Sequence, residues 1–196
     1  MPQAISLVKE AHNAISKILS PGSIAIDATC GNGYDTLFLA QQVGKTGTVY
    51  GFDIQQRALE ITEQKLRKQQ LLPQVQLIHA GHEEMSAYVP IKYHQNINAI
   101  MFNLGYLPGS DKAVITKTDT TLIALETACL LLKHSGIITV IAYPGHPGGL
   151  QELEALQNQI NVLDKSFFQH DILEVDKNDL SKPKLFFISK KSSEFI

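Results

Sequence analysis

The chain has 196 residues, a length that fits one compact domain able to bury a substantial core. Hydrophobic residues make up 44% of the sequence and charged residues 18%, which excludes an intrinsically disordered chain and predicts a soluble globular protein. The formal net charge of -2 excludes a protein that binds nucleic acid through overall basicity, although clustered lysines could still form a local phosphate-binding face.

The first predicted element is an amphipathic helix over residues 3–19. Apolar residues from Ile5 to Leu19 recur at helical spacing, and the pattern stops before Pro21-Gly22. We expect this helix to pack beside a central sheet, within a single domain of residues 1–196.

Short apolar runs then alternate with longer helical patterns, which is typical of consecutive βαβ units. The predicted strands cover residues 23–28, 48–53, 75–80, 97–103 and 136–143. The predicted helices begin near Asp35 and cover residues 55–70, 119–134 and 149–160. Units of this kind build a parallel sheet that is buried on both faces.

The last two apolar runs, residues 167–175 and 185–189, leave no room for a helix between them. Two strands joined so closely pair as an antiparallel hairpin. The sequence therefore predicts an α/β fold with a seven-stranded, mostly parallel sheet and a C-terminal antiparallel hairpin.

The cysteines and the charged residues of the sequence indicate the cellular compartment in which we expect the protein. Cys30 and Cys129 are far apart and form no CxxC pair, so neither a disulfide framework nor a zinc finger is indicated. Lys9 and Glu10 interrupt the first apolar stretch, and no uncharged run approaches the roughly 18 residues of a membrane span. We expect a cytoplasmic protein without membrane attachment.

The first predicted strand runs into a glycine-rich turn, IAIDATCGNG over residues 24–33. Such a turn brings backbone amides and a helix N-terminus against a ligand. A dinucleotide site would need a third glycine where Thr36 stands, which disfavours a pyrophosphate. Asp27 followed by G-x-G instead favours S-adenosylmethionine, whose ammonium and sulfonium groups prefer a nearby carboxylate. A tight turn without any ligand remains the alternative.

Asp53 ends the second predicted strand, twenty residues after Gly33. An acidic residue at about this distance reaches the ribose hydroxyls of a nucleoside cofactor, because one carboxylate accepts from both hydroxyls. The alternative is an ordinary cap of the helix that starts near Gln55.

The segment HAGHEE follows the third predicted strand at residues 79–84, where it would meet the adenine of such a cofactor. His79 and His82 also raise the alternative of a metal site, although no second Cys/His pair accompanies them. His82 and Glu83 could equally cap a helix start.

The fourth predicted strand ends in NLGYLPGSDK over residues 103–112. An asparagine, two residues and an aromatic resemble the (Asp/Asn)-Pro-Pro-(Tyr/Phe/Trp) loop of methyltransferases that act on exocyclic or side-chain nitrogens. In that arrangement Asn103 and the Leu104 carbonyl accept from the target amine, and Tyr106 stacks on the base. Leu104-Gly105 replaces Pro-Pro, so we expect a less rigid loop; a plain surface turn is the alternative.

A second turn rich in glycine and proline, AYPGHPGG over residues 142–149, follows the fifth predicted strand. His146 could take a proton from the attacking nitrogen, since an ordinary imidazole titrates near pH 6.5. An exposed loop histidine without a role is the alternative.

Taken together, the runs IDATCGNGYDTLFLA, VYGFDIQ, MFNLGYLPGSDK, TTLIALETACLLL and AYPGHPGG resemble one family over nearly the whole chain. It was first described as rRNA methylases of Gram-positive bacteria and is now understood as the tRNA 5-(aminomethyl)-2-thiouridine methyltransferases (MnmM). The resemblance implies a Rossmann-like class I fold that uses S-adenosyl-L-methionine. It also implies methylation of the wobble uridine at tRNA position 34 to 5-methylaminomethyl-2-thiouridine.

The resemblance also implies roles for individual residues. Expected at the cofactor are Asp27, Gly31, Asn32, Gly33, Asp35, Thr36, Asp53, Gln55, His82 and Glu83. Expected to bind substrate are Leu104, Gly105, Asp111, Lys112 and Tyr143, with Asn103, Tyr106 and His146 as catalytic residues. By their charge alone, candidates for phosphate contacts are Lys65, Arg67, Lys68, Lys112, Lys182, Lys184, Lys190 and Lys191, although a solvated helix face explains Lys65 to Lys68 at least as well.

The expected partner is the anticodon stem-loop of tRNA, and a homodimer is compatible with the sequence. A methyltransferase of rRNA or of a small molecule is an alternative within the same class. An NAD-binding or other nucleotide-binding protein on the same kind of sheet is an alternative of a different class.

Overall fold

The computed structural model describes residues 6–105, 115–176, 179 and 181–192. Its strands are β1 Ile24–Asp27, β2 Thr48–Asp53, β3 Val75–His79, β4 Ile97–Asn103, β5 Leu132–Ala142, β6 Phe168–Glu174 and β7 Lys184–Lys190. Its α-helices are α1 Leu7–Ser16, α2 Tyr34–Val43, α3 Gln56–Lys68, α4 Met85–Tyr88, α5 Thr118–Leu131 and α6 Gly149–Asn161. Alternating strand and helix therefore run from β1 to α6, as predicted.

The seven strands form one sheet in the order β3-β2-β1-β4-β5-β7-β6. Strands β1 to β5 pair in parallel, whereas β7 pairs antiparallel with both β5 and β6. The predicted seven-stranded sheet with a C-terminal antiparallel hairpin is confirmed. Strand order reverses between β1 and β4, and open α/β sheets bind ligands in the crevice at such a switch point.

Two apolar layers cover the two faces of the sheet. On one face α1, α2 and α3 pack through buried residues such as Ile15, Leu39 and Leu66. On the other face α5 and α6 pack through residues such as Leu125 and Leu156. Within the described ranges, no helix has both the length and the apolar character of a bilayer-spanning segment.

Helix α1 is shorter than the predicted 3–19 segment. It runs over Leu7–Ser16, and the Ser6 hydroxyl accepts from the Lys9 backbone N–H at its start. Residues 3–5 of the predicted helix lie outside the described residues. Apolar residues after Ser16 continue the helical spacing, but the backbone turns away there toward Pro21 and β1. Spacing alone therefore overestimated the C-terminal end.

The boundary between α5 and β5 was also predicted wrongly. The sequence pattern extended the helix to residue 134, whereas α5 ends at Leu131 and β5 begins at Leu132. Leu132 is extended and pairs with Ile97 across a register shift in the ladder. Pairing with a distant strand thus ends a helix for which the local sequence has no stop signal before Gly136. After β3, a short 3₁₀ turn over His82–Glu84 leads into α4, in agreement with the alternative that His82 and Glu83 stand at a helix start.

Candidate functional site at the carboxyl ends of the strands

Most of the predicted site residues lie along one edge of the sheet. Asp27 ends β1, Asp53 ends β2 and Asn103 ends β4. Because these strands are parallel, their carboxyl ends meet at the same edge. The Asn103 backbone N–H donates to the Thr29 hydroxyl at 2.7 Å, which joins the loops that follow β1 and β4. The two loops thus meet at the switch point.

The glycine turn after β1 is closely packed. Gly31 and Gly33 have φ of 52° and 77°, in the left-handed region that favours glycine. A Cβ on Gly33 would lie 2.5 Å from the Thr62 hydroxyl oxygen and 2.9 Å from the Thr62 Cα in α3. A side chain at Gly33 would therefore push α3 away from the turn.

Lys65 holds the middle of the same turn. Its ammonium donates to the Asn32 carbonyl at 2.6 Å and lies 3.3 Å from the centre of the Tyr34 ring. A cation–π contact of this kind stabilises by roughly 0.5–1 kcal/mol at an exposed site. Lys65, one of the candidates for a phosphate contact, supports the backbone of the turn in this structure.

Asp27 is almost fully buried, with 1% exposure. Its carboxylate accepts from the Thr29 backbone N–H at 3.1 Å and from the Thr36 hydroxyl at 2.5 Å. Burial and, to a smaller extent, the charge of Asp35 together raise the pKa of Asp27 from 3.8 to about 7. A cation bound beside Asp27 would offset both effects.

Asp53 connects β2 to the glycine turn. One carboxylate oxygen accepts from the Gly31 backbone N–H and the other from the Gln55 backbone N–H, both at 2.8 Å. Burial raises the pKa of Asp53, while these two N–H donors act in the opposite direction. The carboxylate is held in one orientation, and each oxygen retains a lone pair for a further donor.

The carboxyl groups of this site fit S-adenosylmethionine better than they fit a dinucleotide. Asp35 and Asp53 both act on Asp27 through their negative charge, so three carboxyl groups surround the turn. Three acids attract a ligand with cationic groups and hydroxyl donors, but they repel a pyrophosphate. Thr36 stands at the third glycine position of a dinucleotide turn and donates to Asp27 instead of leaving room for a phosphate.

The residues after β3 divide into exposed and buried groups. His79 is exposed, and its Nε2 lies 2.9 Å from the Ile54 carbonyl. His82 is buried edge-to-face against Phe102, burial lowers its pKa, and its Nε2 has no partner among the described residues. Glu83 is half-buried beside it. The described residues contain no group of three metal-ligating side chains, and the predicted adenine contacts stay a prediction.

The loop after β4 is firmly anchored where it leaves the strand. Leu104 is 1% exposed, so its side chain is buried. The group of Leu104 that is expected to contact the substrate is therefore its backbone carbonyl. Gly105 donates to the Thr116 hydroxyl at 3.1 Å and accepts from the Thr116 N–H at 2.9 Å. These two hydrogen bonds hold the Gly105 backbone, and the expectation of a less rigid loop stays a prediction. The predicted site residues Tyr106, Asp111 and Lys112 lie outside the described residues.

A buried carboxylate that the sequence analysis missed supports this anchor. Glu152 in α6 is 3% exposed and accepts from the hydroxyls of Thr116 at 2.8 Å and Thr121 at 2.6 Å. The available signal was an acid on the otherwise apolar stripe of α6, next to Leu153. A charged residue at such a position is almost always paired or hydrogen-bonded.

Tyr143 and His146, from the loop after β5, face Gly105. A Cβ on Gly105 would lie 3.8 Å from Tyr143 and 4.0 Å from His146, so the two loops are adjacent. Burial, and then the charge of Asp35, raise the pKa of Tyr143, which keeps its hydroxyl protonated. His146 Nδ1 lies 3.1 Å from the Pro147 carbonyl. Because a carbonyl only accepts, Nδ1 is the donor in this contact. The Nε2 atom is buried and faces Gly149.

His12 is a second residue that the sequence analysis did not place in the site. Its Nε2 lies 2.6 Å from one oxygen of Asp35, and the other oxygen accepts from the Asn103 side-chain amide at 3.2 Å. The sequence offers no local signal for this contact, because residues 12, 35 and 103 come from three separate elements. Packing of α1 on the sheet brings them together.

The remaining basic candidates are mostly engaged elsewhere. Lys190 donates to the carbonyls of Cys129 and Leu132, and Lys191 donates to the Lys165 carbonyl. Lys190 is the last residue of β7 and Lys191 follows it, at the sheet edge opposite the site, where Ser189 pairs with Ile137. Lys184 is at the site edge but pairs with Glu174 at 2.7 Å.

The sequence profile of a family described as "Putative rRNA methylase" matches residues 49–189. This match covers well over half of the 196 residues. The chain belongs to this family. The resemblance inferred from the sequence motifs is therefore confirmed at the level of the family.

Solved structures support the same conclusion for the methylase family. A protein of the same description from Clostridium thermocellum is 38% identical, with a TM-score of 0.90 over 96% of this chain and 99% of that one. A protein from Streptococcus mutans described as a methyltransferase, solved in complex with SAH, is 36% identical, with a TM-score of 0.84 over 96% and 99% of the two chains. The fold is that of class I methyltransferases, and the cofactor is S-adenosyl-L-methionine.

Curated relatives are also methyltransferases. A protein of Arabidopsis thaliana named chloroplastic tRNA (mnm(5)s(2)U34)-methyltransferase is 41% identical over 155 residues, which are 75% of this chain and 56% of that protein. A demethylmenaquinone methyltransferase of Lactobacillus johnsonii is 33% identical over 112 residues, which are 55% of this chain and 45% of that protein. The chain thus spans about half the length of these relatives.

Proposed function

We propose that the protein methylates the primary amine of 5-aminomethyl-2-thiouridine at tRNA wobble position 34, giving 5-methylaminomethyl-2-thiouridine. The substrate assignment rests on the similarity of three quarters of the chain to the Arabidopsis tRNA methyltransferase. The reaction class rests on the Asn103 side chain, which lies at the switch point with its amide N–H₂ turned to Asp35. Bound S-adenosylmethionine would supply the methyl group as an electrophilic sulfonium, and S-adenosylhomocysteine would leave as the S–CH₃ bond breaks.

A neutral primary amine has two hydrogens, so it can donate to two acceptors of the site at once. The Asn103 Oδ1 and the Leu104 carbonyl each accept one hydrogen, which leaves the nitrogen lone pair for attack. A hydroxyl offers only one hydrogen, and a secondary amine also offers only one. This arrangement favours primary amines and ends the reaction after a single methylation.

The charge balance of the step involves the nearby acids and His146. An alkylamine must lose its proton before it attacks, and desolvation in the site favours the neutral form. Positive charge appears on the nitrogen as the new bond forms, and the carboxylate of Asp35 stabilises it. His146, whose ring lies next to Gly105, is the candidate base for the proton that the product ammonium releases.

The anticodon stem-loop approaches the loops after β4 and β5. Tyr106 stacks on the thiouracil ring, Tyr143 bounds the opposite side, and Asp111 and Lys112 contact the flanking nucleotides. These roles are inferred from the motif, since the 106–114 segment lies outside the described residues.

The test is methyl transfer by the purified protein to tRNA from a strain in which its gene is deleted. Nucleoside mass spectrometry should show 5-aminomethyl-2-thiouridine replaced by its monomethyl form, and the Asn103→Ala variant should be at least about 100-fold slower. Ribosomal RNA and a demethylated quinone serve as parallel acceptors. Unchanged wobble nucleosides with methylation of either other acceptor would overturn the assignment.

A further inference from the structure

We propose that His12 of α1 is a positioning residue that acts through Asp35 to orient the Asn103 side chain toward the substrate amine. This inference rests on the proposed function, because it assigns His12 a role in the same site. It concerns a residue that the sequence motifs do not include.

The hydrogen bonds that link His12, Asp35 and Asn103 have defined directions. Asp35 is buried and its carboxylate only accepts, so Nε2 of His12 and the side-chain nitrogen of Asn103 must both donate. The amide nitrogen of Asn103 is therefore turned toward Asp35, and its Oδ1 is turned away. An Asn103 without this contact could rotate its amide and present a donor to the amine instead of an acceptor.

Two contacts hold His12 in place. Its ring stacks on Phe38 with 3.8 Å between ring centroids and 5° between ring planes. Phe38 stands one helical turn after Asp35 in α2, so the surface that fixes the ring belongs to the helix that carries the acid. Ala11 and Ile15 beside His12 are fully buried, which fixes α1 on the sheet.

The orientation matters because both oxygens of Asp35 are used. His12 occupies Oδ1 at 2.6 Å and leaves Oδ2 for Asn103 at 3.2 Å. If His12 did not donate, the carboxylate could rotate and release the amide. Misplacement of a reacting group by about 1 Å costs on the order of 100-fold in rate. His12 should therefore affect turnover and leave cofactor affinity unchanged.

The test compares His12→Phe, which keeps a flat ring on Phe38 without the donor, with His12→Gln, which keeps an N–H at similar reach. For transfer to the tRNA substrate, His12→Phe should lower kcat by about 10- to 100-fold. KM for tRNA and the calorimetric Kd for S-adenosylmethionine should stay within about twofold. His12→Gln should recover most of kcat, and the exposed Asn13→Ala on the same helix should match the wild type.

A double-mutant cycle separates positioning from a purely structural role. Adding His12→Phe to Asn103→Ala should lower kcat by less than about twofold, because the group that it orients is already absent. An equal loss in both backgrounds, or no recovery by His12→Gln, would overturn the proposal.

An amide NMR measurement tests the contact independently of the reaction. The Asn103 side-chain N–H₂ resonances should shift in His12→Phe and keep their position in His12→Gln. If the wild type methylates no wobble uridine, the proposed function fails, whereas unshifted Asn103 resonances in a folded His12→Phe would refute the positioning role.

Discussion

Asp27 is the residue whose protonation state matters most for binding of the cofactor. Burial and the charge of Asp35 raise its pKa to about 7, so near neutral pH the group is only partly ionised. In the unfolded chain Asp27 has its ordinary pKa of 3.8, so the folded state binds the proton more tightly. Between these two values the contribution of Asp27 to stability falls as pH rises.

We predict that the affinity for S-adenosylmethionine increases with pH through this range. A cationic ligand favours ionised Asp27, whose ionised fraction rises from about one tenth at pH 6 to about three quarters at pH 7.5. The Kd measured by calorimetry should therefore fall by about eightfold over this interval. Asp27→Asn should bind more weakly with little dependence on pH. A wild-type Kd that does not vary with pH would show that the ligand does not sense this carboxyl.

At the scale of elements, the interface between α5 and α6 supports the loop after β4. Glu152 from α6 accepts from Thr121 within α5 and from Thr116 just before it, and Thr116 in turn holds the Gly105 backbone. Hydrogen bonds to a buried charged group each contribute roughly 1.5–3 kcal/mol, more than a neutral pair does. Packing of two helices thus fixes the place where Asn103 leaves the strand.

We predict that Glu152→Gln destabilises the protein by about 1–3 kcal/mol, because the amide offers one acceptor oxygen where the carboxylate offers two. Urea unfolding measures this loss, and kcat on tRNA should fall as the loop loosens. The matched control is Glu154→Gln, an exposed glutamate on the same helix, which should stay within about 0.5 kcal/mol of the wild type. Equal unfolding midpoints for the two variants would contradict this account.

At the scale of the whole molecule, three carboxyl groups around one turn set the choice of ligand. The sheet could serve either a dinucleotide or S-adenosylmethionine, since fold does not fix function. Asp27, Asp35 and Asp53 lie around the same turn. They disfavour a dinucleotide, because its anionic pyrophosphate would meet like charges.

We predict that S-adenosylmethionine stabilises the protein against heat and that NAD does not. At a ligand concentration of about 100 times Kd, the gain is about 2.7 kcal/mol, or a rise in Tm of roughly 5–10 °C. NAD at the same concentration should shift Tm by less than about 1 °C. A comparable rise with NAD would favour the dinucleotide alternative.

Local sequence patterns determined most of the fold. Apolar runs with turn signals between them predicted all seven strands, and β2 and β4 have the predicted bounds. The glycine turn, the acids at the ends of β1 and β2 and Asn103 were also predicted, because each follows a strand in a recognisable local order. That residues 1–196 form one domain stays a prediction.

Only the tertiary structure decided which residues support the site. His12 meets Asp35 across 23 positions, and Glu152 meets Thr116 across 36. The spacing along the chain identifies neither partner. The start of β5 likewise depends on pairing with Ile97. Spacing along the chain records which face of an element is buried, whereas the partner on that face is set by how the layers pack.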